Sequence, residues 1–296
     1  MSEWDDMFTL KIQLSVGKGA TNRTEDVSTV QQLLNLSAPP NGTRLVVDGA
    51  IGAKTIAAIE AFQKNVVKLP NPDGRVDPGG RTLAMLNQTA GPAVSKLTSL
   101  PKGTGARGVS DADYERVAKL LGCEVAAIKA VDKVEAGGDG FFTNGQPKIL
   151  FEAHQFSKHT GHKYDRAYPS ISSVAWNKAL YAFGEAEYDR LLKAMTLDRE
   201  AALKSASWGR FQIMGFNHSS AGYPTIQGFV DAMFKSESAH LDAFVMFLKS
   251  TGLNDSLTKK EWAKFAKGYN GPEYAANAYD TKLENAYNSF KPAAKK

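Results

Sequence analysis

Val125, Ile128, Val131 and Val134 recur at helical spacing with alanines between them, and Gly137 and Gly138 cut the run off. A helix that must stop there leaves Glu135 in its last turn. The negative end of the helix dipole disfavours a further negative charge, and apolar neighbours act in the same direction, so this carboxyl is expected to keep its proton to unusually high pH. A carboxylic acid of that kind can protonate a leaving group near neutral pH. Taken alone, the same residue reads as a solvated Glu at a frayed helix end, and only the residues downstream of it decide.

After Glu135 the pattern changes. Phe141–Thr143, the Asn144-Gly145 pair and Gln146–Glu152 predict a β-hairpin, the clearest strand signal in the chain. Glu152 and His154 are two apart and share a strand face if the strand runs that far. Beyond it the spacing is helical. One helix is expected at Trp176, Leu180 and Phe183, and another at Tyr188, Leu191, Leu192 and Met195. A longer one runs from Ile226 through Leu248, and two more lie around Trp262–Tyr269 and Tyr279–Tyr287. The expected fold is mainly α, a helical domain with one small hairpin beside a helix-terminal Glu.

Ahead of this domain, Asp26–Leu36 reads as a short amphipathic helix ended by Pro39-Pro40-Asn41-Gly42. Two segments then resemble each other, Val47-Asp48-Gly49 through Ile59 and Val76-Asp77-Pro78-Gly79-Gly80 through Leu86. Each runs from an apolar residue and Asp through a Gly turn to a Thr near a helix start. Gly- and Pro-rich stretches at 89–92 and 100–108 suggest a linker, and Ser110–Asp113 reads as the next helix start. The division expected is residues 1–90, a linker over 91–110, and residues 111–296.

Residues 1–90 carry nine basic and nine acidic side chains, so the whole net charge of +5 lies beyond them. That asymmetry fits an anionic partner such as a cell-envelope polymer, or simply a soluble surface; without a dense basic stripe interleaved with aromatics, a nucleic-acid partner is not expected. No apolar run reaches the length of a membrane span, and the acidic N-terminus lacks the apolar core of a signal peptide. The single cysteine, Cys123, cannot form an internal disulfide and fits a reducing compartment. His159 and His162 lie three apart with no carboxylate or Cys cluster to complete a metal site, so no metal or cofactor is expected. Ser207 lacks the Asp and His partners of a serine hydrolase.

The motif V-D-G-x-x-G-x-x-T at Val47–Thr55, with Ala61-Phe62-Gln63-Lys64, resembles the three-helix-bundle peptidoglycan-binding domain of cell-wall hydrolases. In the larger part four motifs occur in order. They are V-E-A-x-G-x-G-F at Glu135, I-L-F-E-x-H at Glu152, S-x-S-W-G-x-F-Q-I-M-G-x-N at 205–217 and Y-N-G-P-x-Y at 269–274. Together they are similar to the N-acetylmuramidase domain of modular bacteriophage endolysins, within the goose-type lysozyme and soluble lytic transglycosylase superfamily.

The resemblance implies a lysozyme-like fold and cleavage of the β-1,4 bond between N-acetylmuramic acid and N-acetylglucosamine, with Glu135 as general acid. It places Gln212, Tyr269 and Asn270 along the sugar groove. Ile213 and Met214 either line it too or pack as a helix start, and His154 joins the substrate-binding set beside Glu152. An inverting hydrolase holds a second carboxyl ~6.5–9.5 Å from the first. Glu152 is the first candidate, and it reads equally as a salt-bridged strand residue; Asp139 fits a turn better. Trp176, Trp208, Tyr223 and Tyr274 either stack on sugars or fill the core. A lytic transglycosylase, in which the muramic C6 hydroxyl replaces water, and a non-catalytic wall-binding or virion protein are the alternatives. The resemblance further implies a monomer that lyses the bacterial host, stays in the host cytoplasm until released, and then acts on glycan strands of the wall in the periplasm.

Overall fold

A computed structural model describes residues 8–37, 44–103, 105–135, 138–271, 275 and 277–291. In chain order the strands and helices are β1 (Val16–Gly17), α1 (Thr24–Leu36), α2 (Ala53–Phe62), β2 (Arg75–Val76), α3 (Arg81–Thr98), α4 (Asp111–Leu121), α5 (Val125–Glu135), β3 (Ile149–Phe151), α6 (Ala153–His159), α7 (Glu187–Met195), α8 (Arg199–Lys204), β4 (Ala206–Trp208), β5 (Ile213–Met214), α9 (Ile226–Lys235), α10 (Glu237–Thr251), α11 (Leu253–Thr258), α12 (Trp262–Asn270) and α13 (Tyr279–Phe290). Among the described residues the chain is mainly α, with one two-stranded and one three-stranded sheet. The expected stops at Pro39–Gly42 and Gly137, the residues Pro272 and Tyr274, and the tail from Pro292 lie outside the described residues.

The chain forms two compact units. The first comprises Met1–Leu100, Glu152–Tyr181 and Asp189–Ala202; the second comprises Pro101–Phe151, Ala182–Tyr188 and Leu203–Lys296. The division does not follow a single cut near residue 90, because two later segments join the N-terminal helices. The reason lies on α1. Its apolar face, Val27, Val30, Leu33 and Leu34, enters the core with Ile59, Phe62, Leu83 and Leu86. Its polar face is buried as well, against Tyr168, Ser170, Lys193 and Thr196 of the same unit. Gln32 donates to the Thr196 carbonyl at 2.9 Å and hydroxyl at 2.8 Å, and accepts from the Tyr168 hydroxyl at 2.7 Å. Glu25 accepts from Ser170 Oγ at 2.5 Å and is ion-paired with Lys193. A linker over 91–110 is also shorter than expected, since α3 runs on to Thr98 through Pro92. Leu83, Leu86, Ala90 and Val94 give it a helical apolar stripe whose burial outweighs one proline.

The internal likeness of the N-terminal segments has a physical basis, with a corrected alignment. Gln31, buried on α1, donates to Asp48 Oδ1 at 3.0 Å and Thr55 Oγ1 at 3.2 Å, and accepts the Gly49 N–H at 3.1 Å. Gln63, buried just past α2, donates to Asp73 Oδ1 at 2.6 Å and Thr82 Oγ1 at 3.2 Å, and accepts the Gly74 N–H at 2.9 Å. The partner of Asp48-Gly49 is therefore Asp73-Gly74 and not Asp77-Pro78. In both copies a glutamine on the preceding helical stretch fastens an Asp-Gly turn to the next helix start.

In the second unit, α5 packs against α4 and α13, and α10 against α4, α9 and α11. The expected hairpin over 141–152 is reduced to a turn, closed by Phe142 N–H to the Gln146 carbonyl at 2.8 Å and Gly145 N–H to the Phe142 carbonyl at 3.0 Å. One bridge pairs Phe141 with Pro147, and the ladder stops there because the Gly140 N–H goes to Glu237 and the Lys148 carbonyl to the Gly209 N–H. β3 pairs instead with β4, Leu150 opposite Ser207, and β4 pairs with β5, Ser207 opposite Met214. The S-W-G-R-F-Q-I-M stretch is thus itself a β-hairpin, and Ile213 and Met214 are strand residues rather than a helix start. The long helix expected from Ile226 to Leu248 breaks at Ser236, whose extended backbone and side-chain bond to the Ala239 N–H begin α10 afresh.

Candidate active site

Glu135 is the last residue of α5 and is half-buried. The helix presenting it is held from several sides. Ala127, Ile128, Ala130 and Val131 are buried, and so is Asp132, one turn before Glu135. Asp132 accepts two parallel bonds from Arg210, Nε at 2.6 Å and Nη2 at 2.8 Å, and one from the Tyr114 hydroxyl at 2.6 Å. Arg210 also donates to Glu237 Oε2 at 3.1 Å. Glu237, 1% exposed, takes the backbone N–H of Gly108 at 2.8 Å and that of Gly140. A bidentate guanidinium–carboxylate pair is the strong form of such contacts, and it leaves no buried charge without a partner. The Asp132 bonds, with its charge, raise the Arg210 pKa further despite burial. The network joins α5, the β4–β5 turn and the first turn of α10, so the last turn of α5 and Gly140 are tied to the same buried charges.

His240 completes that frame. It is 1% exposed; its Nδ1 accepts the Arg210 backbone N–H at 3.0 Å and its Nε2 donates to the Met233 carbonyl at 2.6 Å. Burial pushes its pKa down to about 4, so the ring is neutral at neutral pH. Phe141 stacks on it at 4.9 Å. Gly209, at φ +69°, and Gly140 both lie so close that a methyl on either would come within 2.8 Å of the ring. Gly209 is thus required by close packing as well as by backbone conformation.

Gln212 turns the β4–β5 hairpin at φ 48°. Its side-chain oxygen accepts from Ser207 at 2.7 Å, and its amide donates to the carbonyls of Gly209 at 2.8 Å and Lys148 at 3.2 Å. Both amide protons are spent on the turn, so what Gln212 can offer a ligand is an oxygen lone pair and the turn's shape. Tyr269, on α12, donates to the Phe211 carbonyl at 2.9 Å, and its ring stacks on Phe265 and meets Phe244 edge-on. Burial first, and then the negative charge of Glu135, raise its pKa well above the usual phenol range. The Glu135 carboxylate therefore lies close enough to be felt at the hydroxyl that holds the β4–β5 turn. The Asn270 side chain is outside the described residues.

Glu152 and His154 belong to the first unit. The strand ends at Phe151, and Glu152 is instead the N-cap residue of α6. The two still meet, His154 Nδ1 lying 3.2 Å from Glu152 Oε2, and the same oxygen accepts from the Tyr181 hydroxyl at 2.6 Å. Asp139 is exposed and ion-paired with Arg107 at 3.1 Å, as befits a turn residue. Trp208 is fully buried with its indole N–H on the Leu203 carbonyl, so it is a core residue. Trp176 and Phe183 are exposed, in a stretch with only short 3-10 turns in place of the expected helix.

Residues 124–291 match the N-acetylmuramidase family, and residues 23–86 match a peptidoglycan binding domain. A solved structure, that of the Burkholderia AP3 phage endolysin, is 34% identical and superimposes with a TM-score of 0.61, over 96% of this chain and 100% of that one. No curated protein matches the chain. A family match over more than half of the sequence, with likeness to an endolysin along nearly all of it, falls where the four ordered motifs lie. The chain belongs to the N-acetylmuramidase family, and it carries a peptidoglycan-binding domain ahead of the muramidase domain.

Proposed function

We propose that this protein is an endolysin in which Glu135 is the general acid for hydrolysis of the β-1,4 bond between N-acetylmuramic acid and N-acetylglucosamine. It is a lysozyme-type glycoside hydrolase whose partner is peptidoglycan. What supports the assignment of Glu135 is its place as the last residue of α5, with the buried Asp132–Arg210–Glu237 frame one turn behind it. An acid on a helix end whose preceding turn is held by buried ion pairs meets the positioning that proton transfer to a glycosidic oxygen demands.

In this reading Glu135 protonates the leaving oxygen as positive charge develops on the muramic ring, and water completes the cleavage. Glu152, engaged by Tyr181 and His154, is the second carboxylate, activating that water. Gln212, Met214, Tyr269, Asn270 and His154 are the residues that bind the glycan. Residues 1–90 bind the wall and residues 111–296 cut it. The protein works as a monomer, is held in the host cytoplasm until release, and its basic C-terminal portion favours an anionic envelope. Mass spectrometry of muropeptides from digested peptidoglycan tests the reaction. The expected products end in reducing N-acetylmuramic acid; 1,6-anhydro-muramic ends would assign the chemistry to a transglycosylase.

A further inference from the structure

The stretch between Ser173 and Tyr181 holds a feature that the cleavage reaction does not account for. Trp176 is 59% exposed, beside Val174 at 72%. Leaving an indole in water forfeits one of the largest apolar burials a side chain can make. Yet Trp176 is held in place. Its indole N–H donates to the Tyr181 hydroxyl at 2.7 Å, and that hydroxyl donates to Glu152 Oε2 at 2.6 Å, the oxygen that also meets His154 Nδ1 at 3.2 Å. The Tyr181 ring meets the indole edge-on at 6.3 Å, and the Arg190 guanidinium lies 5.9 Å from the Tyr181 ring centre. The loop is pinned on either side, Ser173 Oγ to the Ala175 carbonyl at 2.9 Å and the Ala179 N–H to Asn177 Oδ1 at 3.0 Å. A chain of hydrogen bonds running from the indole to a carboxylate thus fixes the ring without covering it.

We propose that Trp176 is a stacking platform for a pyranose ring of the glycan strand, with Tyr181 as the residue that positions it. The apolar C–H face of a β-linked N-acetylhexosamine fits a flat indole, and its equatorial hydroxyls and acetamide fit a rim of carboxylate, imidazole and guanidinium. Glu152, His154 and Arg190 supply that rim within the same unit. The inference rests on the glycan being the substrate, and it holds whether or not Glu152 takes part in bond cleavage. Trp176 contributes affinity for the strand and no proton transfer, so it acts on KM and not on kcat.

The test uses the full-length protein and peptide-free glycan strands released from purified peptidoglycan by an amidase. In an E135Q background, which preserves the ligand, W176A is expected to raise the Kd by about ten-fold, the effect of one aromatic contact of about 1.4 kcal/mol. W176F, which keeps a ring face, should recover part of that loss, and Y181F should weaken binding about three-fold by releasing the indole. In the Glu135 background W176A should raise KM with kcat within two-fold, at an unchanged melting temperature. Equal affinity of W176A and its parent would overturn the proposal, as would absence of saturable binding by the parent. So would a change in oligomeric state with no change in glycan affinity, which would assign the patch to a protein contact. If E135Q still cleaves while W176A weakens binding, the catalytic assignment fails and the platform stands.

Discussion

Arg210 is the side chain on which the muramidase unit most depends. It neutralises two buried carboxylates, Asp132 and Glu237, that come from different helices. Removing one partner of such a group costs far more than the group contributes as a whole, because the remaining charge stays buried. Arg210→Met is expected to lower unfolding stability by about 3–5 kcal/mol in urea titrations, and adding Asp132→Asn should recover part of that loss. His240 provides a pH dependence of known sign. Its folded pKa of about 4 lies below the ordinary 6.5, so between those values the unfolded chain binds a proton that the native ring refuses. Stability is present above about pH 6.5, falls by up to about 3 kcal/mol toward pH 4, and levels off below. His240→Asn should flatten that slope in urea midpoints measured at pH 7 and pH 4.5; an unchanged slope would place the titration elsewhere. None of these contacts is visible in the sequence. Arg210 and Asp132 are 78 residues apart, and Asp132 reads there as one more polar residue on an amphipathic helix. Glu135, Gln212 and Tyr269 are legible because ordered motifs surround them, whereas the frame that holds them is made of long-range contacts.

Helices are legible wherever an apolar stripe runs for more than two turns, as in α1, α5, α7, α12 and α13. Short apolar runs mislead in both directions. Phe211, Ile213, Met214 and Phe216 fit a helix start or a strand equally, and pairing with β3 decides for a strand. Trp176, Leu180 and Phe183 have helical spacing, but Asn177 and Gly184 favour turns, and the stretch stays open with its aromatics exposed. The repeat in the wall-binding part is legible as a repeat but misaligned, because the glutamines that define it lie on the preceding helical stretches. Gln31 carries the first copy. Gln31→Leu leaves the Gly49 N–H and the Asp48 and Thr55 side chains without it, and should cost about 2–4 kcal/mol; a loss under about 0.5 kcal/mol would show that the turn stands by itself.

The two functions of the chain, wall binding and glycan cleavage, are legible in order from its motifs, and both families are found where those motifs lie. The partition into compact units is not. Residues 152–181 and 189–202 belong in sequence to the muramidase match, yet they bury the polar face of α1. Amphipathicity predicts a solvated outer face for such a helix, and nothing local in Gln32 or Glu25 says that Thr196, Tyr168 and Lys193 will cover it. A consequence is that the wall-binding helices and this segment should unfold together.

The central claim is that one carboxyl group, at the end of α5, supplies the proton for cleavage. Glu135→Gln keeps the shape and removes the acid. Release of reducing sugar ends from purified peptidoglycan should fall by about 10³-fold, within the range that a general acid contributes, while sedimentation with the wall and the melting temperature stay those of the unaltered protein. Release within ten-fold of the unaltered protein would contradict the assignment and move the acid to another residue.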